Sequence, residues 1–261
     1  MNSCVDRFLV RVNYAWRLIA TGISFVFFGL GGVVASLTLF SVLYLFPVNR
    51  QKRSIYAQYM VSLLFRSFIW FMNLCGLLTY EINGRELLKE KGQLVIANHP
   101  TLLDVVFLIS LIPRANCIVK EQLWHNPLIL GAVSAAGYIK NNSQQLMAQC
   151  DGSLKRQDSL IIFPGGTRDH GERPLVFLRG AANVALFSAH DITPVVIRCE
   201  PQTLGKGHAW YKIPKTPPHF VINILPDIAI QPFLVTGNRQ SKMSRELTAY
   251  IEGFYEKNIE F

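Results

Sequence analysis

From Leu18 to Phe46 the chain reads LIATGISFVFFGLGGVVASLTLFSVLYLF, 29 residues without a charge. No other feature restricts the possible folds as strongly, because a segment this apolar has to be sheltered from water. As one helix it would measure about 43 Å at 1.5 Å per residue, against about 30 Å for the hydrocarbon core of a bilayer. It is therefore expected to tilt, to project beyond a membrane, or to turn back at Gly29-Leu-Gly31-Gly32. Basic residues flank both ends, with Arg7, Arg11 and Arg17 before it and Arg50, Lys52 and Arg53 after it, so the positive-inside rule assigns no orientation. A cleaved signal peptide is the competing reading, but its apolar region spans about 7–15 residues and ends in a small-residue cleavage site.

Ile55 to Leu78 follows, mixing Tyr56, Tyr59, Leu63, Leu64, Trp70 and Leu74 with Gln58, Ser62, Arg66 and Asn73. Two readings fit that periodicity: an amphipathic helix lying in a membrane interface, or an ordinary helix facing a core. Its place directly after the apolar run favours the interface. The chain as a whole is 50% hydrophobic and only 16% charged, against about 25% charged for a typical soluble domain. A net charge of +9 suits nucleic acid or an anionic bilayer face, and the hydropathy favours the bilayer. Nucleic acid is not expected as a partner. Five scattered cysteines without a Cys-x-x-Cys pair read as reduced thiols, as in cytosolic proteins, and neither as a disulfide framework nor as a zinc site.

Beyond about Leu77 the pattern becomes α/β. Short apolar runs at 94–97, 115–119, 159–163, 193–197 and 220–225 read as strands. Helical stretches fall near 102–112, 126–136, 143–155 and 179–189, and Lys242 to Lys257 forms a last amphipathic helix. The expected organisation is a membrane-associated helical segment over residues 1–76 and a catalytic domain over 77–261. The fold class is α/β, a mixed, mostly parallel sheet flanked by helices and preceded by the hydrophobic and amphipathic helices.

Two clusters can carry chemistry. In Asn98-His99-Pro100-Thr101-Leu-Leu-Asp104 a buried strand runs into a histidine-bearing turn and then a helix expected to start at about Thr101. His99 then sits at the strand's mouth, and Asp104, one turn inside the helix, can hydrogen-bond one imidazole nitrogen and leave the other as a base. Thr101-x-x-Asp104 is also a capping-box-like pattern, so a purely structural role competes. In the second cluster, Phe163-Pro164-Gly165-Gly166-Thr167-Arg168, a buried strand ends in a glycine turn followed by a fixed positive charge. Glycines let backbone amides approach an anion, and Arg grips phosphate with two parallel hydrogen bonds. The alternative is a loop that merely turns. The P-loop spacing is absent.

Together the clusters resemble the glycerolipid acyltransferase family that includes lysophosphatidic acid acyltransferases. His99 and Asp104 match its His-x-x-x-x-Asp motif, and residues 163–168 match Phe-Pro-Glu-Gly-Thr-Arg with one change. Val119-Lys120-Glu121-Gln122-Leu123 looks like its Lys-x-Glu-Leu segment, Arg179-Gly180-Ala181 like its basic-Gly-Ala stretch, and Ile192-Thr-Pro194-Val-Val-Ile like its late Val-Pro-Val strand. The likeness covers roughly residues 75–257. It implies that His99 is the general base, that Asp104 orients it, and that Arg168 and Lys120, with Gly165, Gly166 and Thr167 of the loop, hold an acceptor's phosphate.

The implied reaction moves an acyl group from acyl-CoA or acyl-carrier protein to a lipid hydroxyl, with 1-acyl-sn-glycerol-3-phosphate as the default acceptor and no metal or further cofactor. The implied setting is a bacterial-type inner membrane, with membrane lipids as partners and the catalytic domain on the cytoplasmic side. Two departures concern the acceptor. Gly165 stands where the family carries Glu, and the second motif is shortened to Gly137-Tyr-Ile-Lys140-Asn141-Asn142 without its Arg. An acceptor among specialised lipids, amino-acid-containing or polyene-type, is therefore the alternative within the family. A membrane esterase is disfavoured because the Gly-x-Ser-x-Gly elbow is missing. A noncatalytic lipid-binding protein would tolerate loss of His99.

Overall fold

The computed structural model describes residues 2–88, 92–168, 175–234 and 239–259, with residues 2–7 through their backbone only. Asp169, His170 and Glu172, which the sequence places beside the second cluster, lie outside the described residues.

The N-terminal part is a long helical hairpin. Helix α1 (Asn2–Ala35) passes through a π-helical turn at Ser36–Phe40 into the short α2 (Ser41–Leu45), and α3 (Arg50–Leu74) runs back along it. Asn49 starts α3 by accepting a 2.8 Å hydrogen bond from the Lys52 amide, the expected chemistry of an N-cap. Aromatic contacts zip the hairpin: Phe28 lies 5.9 Å from Phe65 and 5.1 Å from Phe68, ring centre to ring centre.

Of the three courses open to the apolar run, the reversal at Gly29–Gly32 is not the one taken, because those residues remain helical. Among their glycines, Gly32 serves close approach. A Cβ added at Gly32 would stand 2.3 Å from the Leu128 carbonyl oxygen, and one at Gly131 would stand 2.4 Å from the Ser36 hydroxyl. Helix α1 can thus lie against the segment leading into α5 (Leu130–Ala135).

Helix α3 packs against the rest of the chain on one side and shows apolar residues on the other. Its polar residues turn inward: Ser54 Oγ and Gln58 Nε2 donate to the Ala136 carbonyl at 2.6 and 3.2 Å, while Ser62 Oγ and Arg66 Nη2 donate to that of Ser110 at 3.4 and 3.2 Å. These carbonyls stand at the C-terminal ends of α5 and of α4 (Asp104–Leu111), where a helix has no internal partner for them. Meanwhile Tyr59, Leu63, Trp70 and Leu74 are exposed on the outer side. Helix α1 is likewise apolar outward, with Phe8, Ile19, Ile23, Val26 and Leu30 exposed. Residues 8–45 and 50–74 are each long and apolar enough to cross a membrane, with mean hydropathies of 2.2 and 1.2. Only 11% of the apolar window in the first is buried, so it is not the core helix of a soluble fold.

The remainder is a seven-stranded sheet in the order β1-β7-β6-β2-β5-β3-β4, covered by helices. Its strands are β1 (Thr79–Asn83), β2 (Leu94–Ala97), β3 (Ala115–Val119), β4 (Ile139–Lys140), β5 (Ser159–Ile162), β6 (Ile192–Glu200) and β7 (His219–Ile224). All neighbours run parallel except β6 and β7. Strand β2 is central, with Val95 opposite Ile161 of β5 and Thr193 of β6. All four of its residues are buried, which is why it reads as a continuous apolar run and not as an alternating one. Helices α6 (Leu146–Lys155), α7 (Gly180–Ser188) and α8 (Gln240–Ile259) complete the chain.

Two strands escape the sequence reading. Edge strand β1, Thr-Tyr-Glu-Ile-Asn, is polar and exposed, and β4 has only two residues. Helix α4 begins at Asp104, not at about Thr101, because residues 101–103 form a separate turn.

Candidate active site

Strands β2, β5 and β3 are parallel neighbours, so their C-terminal ends share one edge of the sheet. Three sequence-predicted groups follow those ends: His99 after β2, the Phe163–Arg168 turn after β5 and Lys120 after β3. This is where ligands collect in open α/β sheets. The edge is held by Asn98, whose Oδ1 accepts from the Ile197 amide at 2.7 Å and whose Nδ2 donates to the Ile197 carbonyl at 2.8 Å. The side chain thereby prolongs the β2–β6 ladder beyond Ala97 and fixes where His99 leaves the sheet.

His99 Nδ1 lies 2.8 Å from Asp104 Oδ2. Asp104 is completely buried, whereas 17% of the His99 side chain is exposed. The carboxylate also accepts from the Thr101 amide at 2.7 Å and from the Thr101 hydroxyl at 2.6 Å, and the same hydroxyl accepts from the Leu103 amide at 3.2 Å. The capping-type pattern and the His–Asp pair are thus one structure: the cap immobilises the carboxylate that orients the imidazole. Burial pushes the Asp104 carboxyl above its ordinary pKa, opposed by the hydrogen bonds from His99 and Thr101 and by the charge of His99. With Nδ1–H donated to Asp104, the basic nitrogen of the ring is Nε2.

The Phe163 ring stacks on His99, with centroids 4.2 Å apart and planes 24° from parallel. Beyond Phe163 the chain makes a four-residue turn closed by the Gly166 amide on the Phe163 carbonyl at 3.0 Å, with Pro164 second in the turn, its favoured position. Gly166 has φ +65° and is exposed, a backbone conformation that suits glycine. Gly165, Thr167 and Arg168 are half-buried.

Arg168 Nη1 donates to the carbonyls of Leu204 and Gly205 at 2.8 and 3.1 Å. The Leu204 carbonyl also accepts from the Leu102 amide at 3.2 Å. Arg168 therefore ties the segment after β6 to the His99 turn, a contact between distant residues that no local pattern announces. Lys120 is exposed, and its turn is fixed to the end of β4: the Glu121 amide donates to Asn141 Oδ1 at 3.1 Å and Asn142 Nδ2 to Glu121 Oε2 at 2.6 Å. Lys140 Nζ lies 4.9 Å from the centre of the Trp124 ring.

The structure thus joins His99 to Asp104 directly and gathers Lys120 and residues 165–168 along the same edge. Sequence reasoning missed Phe163 as a stacking partner and Asn98 as a clamp, whereas the capping-box-like pattern had already linked Thr101 to Asp104. Asn98 stood inside the first cluster, so its polarity at the end of a buried strand was the available signal. Cys117, Cys150 and Cys199 are free, and burial pushes each thiol up to about 12.

Residues 79–198 match the protein family described as Acyltransferase. A 1-acyl-sn-glycerol-3-phosphate acyltransferase of Helicobacter pylori is 33% identical over 114 residues, covering 41% of this chain and 48% of that protein. One from Cocos nucifera is 30% identical over 140 residues, covering 50% of this chain and 43% of that protein. The chain therefore spans about half the length of the curated relatives it matches. The crystal structure of the 1-acyl-sn-glycerophosphate (LPA) acyltransferase PlsC from Thermotoga maritima superposes with a TM-score of 0.69 at 19% identity, covering 98% of this chain and 95% of that one. That likeness bears on the fold, including the apolar N-terminal helices.

Proposed function

We propose, from the match of residues 79–198 to the Acyltransferase family and the likeness to 1-acyl-sn-glycerol-3-phosphate acyltransferases, that this is a glycerolipid-type acyltransferase, which moves an acyl group from a thioester to the hydroxyl of a lipid at a membrane. The observation that carries this reading is the 2.8 Å bond between His99 and a fully buried Asp104, at the mouth of the central strand. His99 Nε2 takes the proton of the acceptor hydroxyl as its oxygen attacks the thioester carbonyl. When the tetrahedral intermediate collapses, the C–S bond breaks and the imidazolium returns its proton to the departing thiolate. Ester and thiol are formed, and His99 is neutral again. Asp104 keeps Nδ1–H donated throughout and stabilises the transient imidazolium. The thioester is already activated, so the step needs no metal or serine nucleophile.

The default acceptor is 1-acyl-sn-glycerol-3-phosphate, its phosphate met by Lys120 and by the Arg168 donors not used on Leu204 and Gly205. The donor is acyl-CoA or acyl-carrier protein. Gly165 and the arginine-free second motif favour, as a second reading, a specialised lipid acceptor lacking the usual glycerol phosphate. The exposed apolar flanks of α1 and α3 sit in the membrane, with the catalytic edge on the cytoplasmic side. The deciding assay incubates the membrane-reconstituted protein with labelled acyl-CoA or acyl-carrier protein and a panel of lysophospholipids and specialised lipids. Labelled 1,2-diacyl-sn-glycerol-3-phosphate as the main product supports the default, and labelled specialised lipid supports the second reading. His99→Ala should lose product by about 10²–10⁴-fold while staying folded and membrane-bound; undiminished turnover in that variant sinks the mechanism.

A further inference from the structure

Between β6 and β7 the chain crosses from the catalytic edge to helix α1. At the near end, Leu204 and Gly205 are held by Arg168 and Leu102. At the far end, Arg17 of α1, only 2% exposed, stands at the start of that helix's uncharged run: its Nη1 donates to the Lys215 carbonyl at 3.1 Å and its Nη2 to that of Pro214. A buried guanidinium in such a helix is costly unless its donors are satisfied. Here they are spent on fixing this loop.

Aromatic packing fastens the tip a second time. Trp210 lies 6.0 Å from Phe25, ring centre to ring centre, and a Cβ at Gly22 would come within 3.3 Å of its ring. Trp210 and Tyr211 nevertheless remain 45% and 55% exposed, on a surface continuous with the apolar flank of α1. Residues 201–218 contain Lys206, Lys212 and Lys215 and no acidic residue. All three lysines are exposed, and among the described residues none pairs with a carboxylate.

We propose that residues 206–215 form a docking surface for the headgroups of an anionic bilayer, latched to α1 through Arg17. The inference rests on the membrane reading above and adds to it a second, lipid-selective contact outside the two helices. Tryptophan and tyrosine settle at the boundary between hydrocarbon and headgroups, and lysine stems lie along that boundary with their ammonium groups in the headgroup layer. Each lysine near an anionic leaflet favours the docked loop roughly fivefold, an effect that salt screens. Because the same loop is held at Leu204 beside His99, docking also sets the catalytic edge against the lipid surface.

The test uses the full chain with Trp210 as its single tryptophan, reconstituted in bilayers of phosphatidylcholine with or without phosphatidylglycerol. Flotation first reports whether the chain stays with lipid. Trp210 emission should be blue-shifted and quenched by brominated lipid, more strongly with phosphatidylglycerol, and salt should remove the difference. Lys206→Gln, Lys212→Gln and Lys215→Gln combined should reduce quenching to the phosphatidylcholine level. A chain that fails to float overturns the membrane reading and this proposal together. One that floats with Trp210 open to iodide and shielded from brominated lipid overturns this proposal alone. If the lysine changes spare lipid quenching but weaken transfer from acyl-carrier protein, the surface serves an acidic protein instead.

Discussion

The helical hairpin and the sheet use polar side chains in opposite ways. In the sheet, apolar residues such as Val95, Ile96 and Ile161 fill the interior and the buried or half-buried polar groups lie mainly at the strand ends, His99 and Asp104 at one end and Gln93, Arg114 and Asp158 at the other. In the hairpin, Gln58 and Ser62 are buried against the domain while Leu63 and Trp70 face outward. The difference teaches what each part borders. The sheet is covered by its own helices, so its apolar side chains face inward; the hairpin shows apolar side chains on its outer side as well, and its polar groups are needed inside to satisfy the carbonyl ends of α4 and α5.

The sharpest way to probe the catalytic side of this contrast is His99→Ala, with the loss stated above. Asp104→Asn comes next. Activity should fall by about 10²–10⁴-fold because the imidazole loses the anion that orients it. The sign on stability runs the other way. Burial raises the folded-state pKa of Asp104, so the proton is held more tightly in the folded chain than in the unfolded one. The stabilisation this gives is full below the unfolded pKa and is lost as pH rises through the folded value. At neutral pH the isosteric neutral variant should therefore melt no lower than the wild type. A large drop in melting temperature would show that the carboxylate is chiefly structural.

Gly32→Val tests whether the hairpin and the catalytic part form one packed unit. Its Cβ would meet the Leu128 carbonyl, and the forced shift should cost about 1–3 kcal/mol in denaturant titrations in detergent micelles. Unchanged stability would mean that α1 separates freely from the domain. Arg168→Ala should raise the acceptor KM about tenfold, the worth of one charge-assisted hydrogen bond, with the thioester KM little changed. Equal rises in both would assign Arg168 to holding residues 204–205 alone.

The smallest effects set the two faces of α3 against each other. Gln58→Leu should cost about 1 kcal/mol of stability in detergent, since Ser54 still serves the Ala136 carbonyl. Leu63→Gln should leave that stability unchanged and weaken retention in bilayers. The reverse outcome would make the exposed side of α3 an ordinary soluble surface.

Much of the fold was readable beforehand. Strands β2 and β5 were legible because burial on both faces makes them nearly continuous apolar runs, β3 was legible despite Asn116, and His99 with Asp104 was legible because their separation is local. Strand β1 was not, because an edge strand hydrogen-bonds through its backbone and needs no apolar side chains. The Arg168–Leu204 contact was not, because it joins residues 36 positions apart.

By itself, then, the sequence determined the long apolar N-terminus, the α/β alternation and the two clusters at strand ends, since each is written in side chains that are neighbours along the chain. Only the tertiary structure decided that α1 continues through its glycines and uses Gly32 to approach Leu128. It also decided that the Thr101 cap and the His99–Asp104 pair are one arrangement, and that Arg17 and Arg168 hold the two ends of one loop. Those outcomes depend on which surfaces meet, and a backbone carbonyl such as that of Leu128, Leu204 or Pro214 leaves no mark in the sequence of the residue that will bind it.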